Sequence, residues 1–426
     1  MSLPRPIRPL ATVTGLVLAT AAVGLLAVGP APAADRPGPT PATASFLSPA
    51  TARGTSLAPP APRSVAGTSS LVTLRTDLLP RLAEGQEIRF DLGQRSVSGR
   101  FTHIERNRAY TAWTGSLDVG LGSFVVVRAG AVYRAALIWP GGLWQVTQAR
   151  GSQYWLTDVS PYSAPAGDDT TTDRRRSPRA APARSEPARS KRRHIRIDVL
   201  FAYTSSGKDA AGGKAGIRAA AGQAAASTNL ALASSGIDAK VRVKGVVPVK
   251  GHEGNNPIRD LRKLQHPHDG AFDAAIRLRT RHHADIVHLL TGGPSDRLCG
   301  AGAIPFTARN ANPVQGASTS TVSCLPYLVA THELGHNLGA DHIDYPGVSH
   351  HSKMPGSYAW YDVAHHFITA VGTFDPCEDA GDFTCVRIPA FSNPTGSYYG
   401  FPIGSAAADN TRVIKQIAPI VARYSR

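Results

Sequence analysis

Cysteine is absent from the first 298 residues of this 426-residue chain, and all four cysteines lie in the last third. The amino-terminal part therefore contains no disulfide and offers no thiolate to a metal ion. Methionine is scarcer still, with Met1 and Met354 alone. Apart from residues 11–28, no segment is apolar over a length that could span a bilayer. The composition thus excludes a protein with several membrane spans.

Acidic residues are also in the minority, 30 against 46 Lys and Arg, which gives a net charge of +16. Residues 194–426 contribute little of it, with 22 basic and 18 acidic residues, whereas residues 173–193 have nine basic and two acidic residues. This short segment contains no aromatic residue. A nucleic-acid interface needs a basic patch in a helical or aromatic context, so the charge predicts no nucleic-acid partner.

The N-terminus has the pattern of an export signal. Arg5 and Arg8 precede the apolar run, and Ala31-Pro32-Ala33 supplies the small residues of a cleavage site. We therefore expect a signal peptide at residues 1–33, a secreted, extracellular protein and no stable membrane association after cleavage. A membrane anchor is the alternative, which the many Ala, Gly and Thr residues of the run disfavour.

Composition divides the rest of the chain into four segments. Residues 34–66, rich in Pro, Ala, Thr and Ser, predict a disordered tether. Residues 67–163 alternate between apolar and polar side chains and predict a meander of antiparallel strands. Residues 164–193 form a basic linker that we expect to be disordered, exposed and open to proteolytic processing, although a plain charged linker is the alternative.

The last segment, residues 194–426, predicts an α/β domain because strand-like and helix-like patterns follow one another. We expect a twisted, mostly parallel sheet, two long helices and a small irregular C-terminal subdomain. The predicted strands are residues 195–203, 239–249 and 286–290, with an edge region at 299–305; the predicted helices are 213–234, 272–282, 326–338 and 410–424.

One motif in this domain indicates chemistry. His332 and His336 are four residues apart, so on a helix they lie on one face and can reach one metal ion. Glu333 lies too far round the helix to join them but close enough to hold a water molecule. Gly339 can turn the chain sharply, which returns His342 as a third ligand. Three His ligands leave a fourth position open, as in catalytic rather than structural zinc sites.

The spacing His-Glu-x-x-His-x-x-Gly-x-x-His resembles the zinc signature of the metzincin metallopeptidases. Residues 195–204 resemble the first strand of their reprolysin-like branch, 284–290 a later core strand, and 299–302 the edge strand before the zinc helix. Residues 387–394 are similar to the closing segment of bacterial peptidyl-Asp metalloendopeptidase-type proteins. The resemblance covers roughly residues 194–426.

This resemblance implies a metzincin-like catalytic domain with a zinc helix, preceded by a β-rich pro-region. It implies a monomeric, secreted zinc endopeptidase acting on proteins or peptides, with one catalytic zinc ion and Glu333 as general base; any calcium requirement stays open. Because the pro-region has no cysteine, inhibition through a thiolate on zinc is excluded. The substrate-binding residues that we expect are Gly300, Ala301, Gly302, Ala303, Val371 and Phe391.

Two details depend on the resemblance. Four cysteines allow three pairings, and their order and the resemblance favour Cys299–Cys324 and Cys377–Cys385. Metzincins have a Met below the zinc that serves as a packing floor, and by register this Met would fall near Val371. Its absence motivates an alternative, an exported metal-binding module without catalysis. A zinc hydrolase acting on a non-peptide cell-wall amide is a further alternative.

Overall fold

The computed structural model describes residues 45–50, 68–93, 95–159, 169–171, 194–254, 256–293 and 298–426. The predicted signal peptide lies outside the described residues, as do the tether and the basic linker except for 45–50 and 169–171. All described residues belong to one compact unit, residues 43–426. Within the described ranges, no helix is both long and apolar enough to cross a membrane.

The β-rich region is a single antiparallel sheet of nine strands in the order β1-β2-β9-β8-β7-β6-β5-β4-β3. The Phe46 amide donates to the Arg89 carbonyl at 2.7 Å, so the two ends of the sheet meet. Tight turns with positive φ at Gly130 and Gly141 make the β6–β7 and β7–β8 hairpins. The strands are β1 Leu47–Pro49, β2 Ser69–Leu74, β3 Glu87–Asp91, β4 Ser96–Arg106, β5 Thr111–Leu117, β6 Gly122–Ala129, β7 Val132–Trp139, β8 Gly142–Arg150 and β9 Gln153–Asp158.

The second sheet is mixed, with six strands in the order β10-β14-β15-β13-β11-β12. Four of its strand pairs are parallel, and β14 runs antiparallel to β15. The edge strand β10 comes from within the predicted linker, residues 164–193, and pairs with β14. The strands are β10 Asp169–Thr171, β11 Ile195–Tyr203, β12 Ala239–Pro248, β13 Ile286–Thr291, β14 Gly300–Ala303 and β15 Ala317–Thr321.

Helices cover both faces of this sheet. The side chains of β11 alternate between a core shared with α2, α5 and α7 and a second core shared with α3 and α4. The helices are α1 Ser205–Ala210, α2 Lys214–Ser234, α3 Pro257–Gln265, α4 Asp273–Arg281, α5 Val329–Asn337, α6 Asp375–Asp379 and α7 Asn410–Val421. Only α2, with 21 residues, is long among the helices described, so the expectation of two long helices is wrong.

The helix that carries the motif is shorter than expected. Pro326 lies inside a 3-10 helix, Val322–Tyr327, rather than in the first turn of α5. Leu328 then adopts a left-handed conformation with φ 59°, which separates the two helices. Neither α3 nor the Ser- and Thr-rich strand β15 was predicted from the sequence. β15 is buried between β13 and β14 despite its polar sequence.

The chain after residue 342 is irregular, as expected. It contains a three-stranded sheet, a two-stranded sheet, the short α6 and finally α7. Cys377 and Cys385 lie at disulfide distance at either end of a loop, with a Cα–Cα separation of 6.3 Å, which fits the expected pairing. The strands are β16 Tyr361–Asp362, β17 Phe367–Ile368, β18 Val386–Arg387, β19 Asn393–Tyr398 and β20 Phe401–Ile403.

Candidate metal centre

Three histidines converge at the end of α5. His332 and His336 project from one face of the helix, Gly339 turns the chain with φ 89°, and His342 returns to the same point. The three Nε2 atoms are separated by 2.8 Å (332–336), 3.1 Å (336–342) and 3.2 Å (332–342). A tetrahedral zinc ion with Zn–N bonds of about 2.05 Å holds its ligand nitrogens about 3.3 Å apart. The triangle therefore has the size of one face of such a site.

The hydrogen bonds of the rings test whether a cation fits. His336 Nδ1 lies 2.7 Å from the Ala340 carbonyl and His342 Nδ1 lies 3.3 Å from the Ser349 carbonyl. A carbonyl only accepts, so in both rings Nδ1 carries the proton and Nε2 presents a lone pair. Lone pairs that face one another at these distances repel unless a cation lies among them. The donor set thus fits zinc.

Burial favours the same protonation state. His332 and His336 are fully buried, and burial first, with the positive charge of Arg387 contributing, lowers the pKa of each imidazole well below its usual 6.5. The rings are therefore neutral at physiological pH. A neutral imidazole is the form that binds a metal ion.

Glu333 lies between α5 and the strand β14. A Cβ built on Gly300 would be 2.5 Å from Glu333 Oε1, and one built on Gly302 would be 2.9 Å from Oε2. Both glycines therefore leave the space that the carboxylate occupies, while Ala301 and Ala303 face the opposite core. All four residues are among those expected from the resemblance to bind substrate. Glycine at the alternate positions Gly300 and Gly302 is the sequence feature that indicates the close contact between β14 and the Glu333 carboxylate.

Two further polar residues, Asn337 and Asp341, hold the site, and of these Asn337 was not recognised from the sequence. The Asn337 amide, buried at the end of α5, donates to the carbonyls of Ala303, Gln315 and Ala317 at 2.8–3.1 Å. This fixes the helix against β14 and β15. Asp341, also buried, accepts from the amides of His342, His351 and Ser352 at 2.6–2.9 Å. It thereby orders the loop that brings in the third histidine.

Val371 and Phe391 pack beneath α5 rather than facing an open cleft. Both are fully buried, and a Cβ on Gly335 would be 2.5 Å from Val371 Cγ1 and 2.9 Å from Phe391 Cε1. Met354 instead packs at the turn, where its methyl would be 2.8 Å from a Cβ on Gly339. Val371 thus occupies a floor position under the helix, and Met354 does not.

Arg387 in β18 places a buried positive charge near the histidines. Its guanidinium donates from Nη1 to the Tyr327 carbonyl and from Nη2 to the Gly372 carbonyl, both at 2.9 Å. The ring of Phe374 lies 5.2 Å from the same group. The positive charge of Arg387 contributes to the lowered pKa of both His332 and His336.

A disulfide links the approach to the site. Cys299 and Cys324 lie at bonding distance, with a Cα–Cα separation of 5.8 Å, and join the start of β14 to the 3-10 helix before α5. This fits the pairing that the resemblance favoured. A second group of close metal-binding side chains comprises Cys377, Asp382 and Cys385. Both of its sulfurs are in a disulfide, so it is not a comparable site.

Comparison with known proteins finds similarity to metallopeptidases. Residues 237–343 match the metallopeptidase family described as M12B, reprolysin-like. The chain is 26% identical over 319 residues to a peptidyl-Asp metalloendopeptidase of Stenotrophomonas maltophilia strain K279a, covering 73% of this chain and 72% of the relative. A relative with the same description from Xanthomonas campestris pv. campestris is 26% identical over 231 residues, covering 54% and 51%.

The chain aligns with solved structures at low TM-scores. Metalloproteinase-II from Bacteroides fragilis has a TM-score of 0.42 and 14% identity, over 65% of this chain and 88% of its own. A chaperone-substrate complex has a TM-score of 0.42 and 19% identity, over 68% of this chain and 39% of its own. Neither score is high enough to support an argument about architecture. The family match over residues 237–343 and the similarity to the curated relatives agree with the histidine geometry, and together they support a reprolysin-like zinc metalloendopeptidase.

Proposed function

We propose that the protein is an exported, monomeric endopeptidase of metzincin architecture, made as a pro-enzyme, in which His332, His336 and His342 bind one zinc ion and Glu333 is the general base. Residues 1–33 serve as the signal peptide, the β-rich region as the pro-domain and residues 194–426 as the catalytic domain. The observation that carries the proposal is the buried triangle of three ring nitrogens beside a buried carboxylate.

The chemistry of this site divides between the ion and the protein. Zinc, when bound, supplies a Lewis acid that polarises the scissile carbonyl and makes water more acidic. Glu333 accepts a proton from the attacking water on its carboxylate and then donates that proton to the leaving amine. Asn337 and Asp341 hold α5 and the following loop, so that the histidines and Glu333 keep their relative positions.

An extended peptide would bind along β14, whose backbone can pair with it by strand addition. In the described chain this edge is already occupied, because β10 pairs with β14 in parallel through the partners Asp169–Ala301, Thr170–Gly302 and Thr171–Ala303. The β10 residues lie within the linker, ahead of its most basic part, residues 173–193. This pairing supports latency by steric cover, and it needs no thiolate.

The curated relatives are described as peptidyl-Asp enzymes, and we propose that this chain also selects an acidic residue next to the scissile bond. Arg387 is the residue that we assign to this selection. It is held by two backbone carbonyls, and its positive charge acts on His332 and His336. A guanidinium with fixed orientation suits a carboxylate better than a flexible ammonium group does.

The peptidase proposal is tested with the full-length chain, in which a site-specific protease sequence is inserted between residues 177 and 190. After cutting, zinc-loaded protein should cleave quenched fluorescent peptides, and a chelator should stop it. Glu333→Gln should retain zinc but lose about 10²–10⁴-fold in kcat. Zinc-loaded wild type that cleaves no faster than Glu333→Gln across a broad peptide library would favour a metal-binding module or a different amide substrate.

Selection by Arg387 is tested with paired peptides that differ only by Asp or Asn beside the cleaved bond. We expect Arg387→Met to reduce the Asp-to-Asn ratio of kcat/KM by about tenfold or more, because it removes a charge-assisted contact. The ratio is insensitive to partial loss of folded enzyme. Arg423→Met, at an exposed position, is the matched control. An unchanged ratio in Arg387→Met contradicts the assignment.

A further inference from the structure

Helix α2 is covered on every side. Its residues 219–228 are ten consecutive buried positions, although a helix that lies on the surface of a domain normally exposes one face. One side of α2 packs on β12 and α5, and the other packs on β5, β6 and β7 of the β-rich region. Tyr110, Val125 and Val127 accordingly belong to the same hydrophobic core as α2.

We propose that the β-rich region remains bound to residues 194–426 after the linker is cut, as a non-covalent subunit of the mature enzyme. This inference rests on the proposed pro-enzyme, because it concerns what happens after processing. Its first consequence is that activation requires release of β10 from the substrate edge, not departure of the β-rich region. Its second is that residues 194–426 alone would expose an alanine-rich face of α2.

The contact at Gly222 leaves no space for a side chain. A Cβ at this position would be 2.7 Å from Tyr110 Cγ and 2.8 Å from Val127 Cγ1. The helix backbone therefore lies directly against Tyr110, which immediately precedes β5, and Val127 of β6. Such a close fit is typical of a permanent interface rather than of a transient cover.

Buried polar groups cross the same interface. Arg134 Nε donates to Gln223 Oε1 at 3.1 Å, and both side chains are nearly inaccessible. Burial lowers the pKa of Arg134 to about 10, so the group is still a cation at neutral pH. Asn229 Nδ2 donates to Glu105 Oε2 at 2.7 Å and to the Val241 carbonyl at 3.0 Å. Through Asn229, α2 therefore links β4 of the β-rich region to β12 of the second sheet.

A second set of contacts lies beside the metal centre. Tyr327 Oη donates to the Val159 carbonyl at 3.2 Å, and the Gly141 amide donates to the Thr384 carbonyl at 2.9 Å. A cavity of about 20 Å³, roughly room for one water, lies beside these contacts. The packing is looser at the far end of α2, where a cleft of about 620 Å³ separates β4 from β12. The β-rich region is therefore held at two places.

The experiment uses the full chain with Glu333→Gln, so that it cannot digest itself, and with the site-specific protease sequence between residues 177 and 190. After complete cutting, size-exclusion chromatography and mass spectrometry should find both fragments in one peak at the volume of the uncut chain. They should separate only in denaturant. Fragments that elute apart in native buffer at micromolar concentration overturn the proposal.

Gly222→Ala tests the interface, because the substitution should weaken it although the same change stabilises an exposed helix. In an exposed helix this change favours the helical state, but here the new methyl group meets Tyr110 and Val127. We expect it to lower the urea concentration at which the cut fragments separate. Ser234→Ala, at the exposed end of the same helix, should leave that concentration unchanged or raise it. A rise in both variants overturns the proposal.

The two proposals fail separately. If cutting the linker of the active chain releases no activity while the fragments still co-elute, the pro-enzyme proposal fails and the interface stands. If activity appears and the fragments separate in native buffer, the pro-enzyme proposal stands and the retained subunit is wrong.

Discussion

The seam between the β-rich region and α2 and the metal centre on α5 both bury polar side chains, but they differ in how those side chains are paired. At the seam the partners are complementary: Arg134 donates to Gln223, and Asn229 donates to Glu105. At the metal centre three groups of the same kind, the Nε2 atoms of the histidines, face one another at 2.8–3.2 Å.

This difference distinguishes polar groups that stabilise the fold, at the seam, from polar groups that bind a ligand, at the metal centre. In a complementary pair a donor already faces an acceptor once the chain has folded, so the pair needs no additional group between its members. A set of like groups is not complete, because neutral imidazoles that present lone pairs need a cation between them. Loss of the metal should therefore affect the centre and leave the seam intact, and changes at the seam should leave metal binding intact.

The largest expected effect is from His336→Ala. Removal of one of three ligands should weaken zinc binding by about 100-fold or more, since even loss of a group that only supports a ligand costs 10- to 100-fold. Cleavage should become undetectable, while the cut fragments still co-elute. Zinc content after dialysis against graded chelator measures the affinity, with the exposed His266→Ala as control. Separation of the fragments in His336→Ala would mean that the metal also holds the seam.

An intermediate effect is expected from Gly302→Ala. A Cβ there would be 2.7 Å from the Glu333 carbonyl and 2.9 Å from its Oε2, so the carboxylate must move. Displacement of a catalytic group by about 1 Å costs on the order of 100-fold in rate. We expect kcat to fall by about that factor. Gly120→Ala, where a Cβ meets nothing within 4 Å, is the control. An unchanged kcat would show that Glu333 is not held by β14.

The centre could be predicted from the sequence because its spacing depends on local geometry. Four residues make one helical turn, which brings His332 and His336 together wherever the helix lies. A glycine three residues later allows the turn that returns His342. The strand β11 and the helix α2 were similarly predictable, since their apolar or alanine-rich runs exceed the length of any competing pattern.

The remainder depends on tertiary contacts that no local pattern specifies. β15 has a polar sequence and is nevertheless buried, because its neighbours β13 and β14 and the helices on either face enclose it. The role of Asn337 depends on carbonyls 20 to 34 residues earlier in the chain. The seam likewise pairs Arg134 with Gln223 across 89 residues. Composition predicts a β-rich region before residue 164 but does not indicate where it binds.

The smallest effect concerns the floor beneath α5, where the resemblance predicts a Met and the chain has Val371. Unlike the ring of histidines, this floor is already complete: Val371 is fully buried and packs against Gly335. Val371→Met should therefore overfill it and lower the free energy of unfolding by about 1–3 kcal/mol, with zinc content unchanged. Urea unfolding at fixed zinc concentration measures this, with the part-exposed Val314→Met as control. A gain in stability or kcat would instead reveal unfilled space under the helix, and the floor would then resemble the histidine ring in needing an additional group.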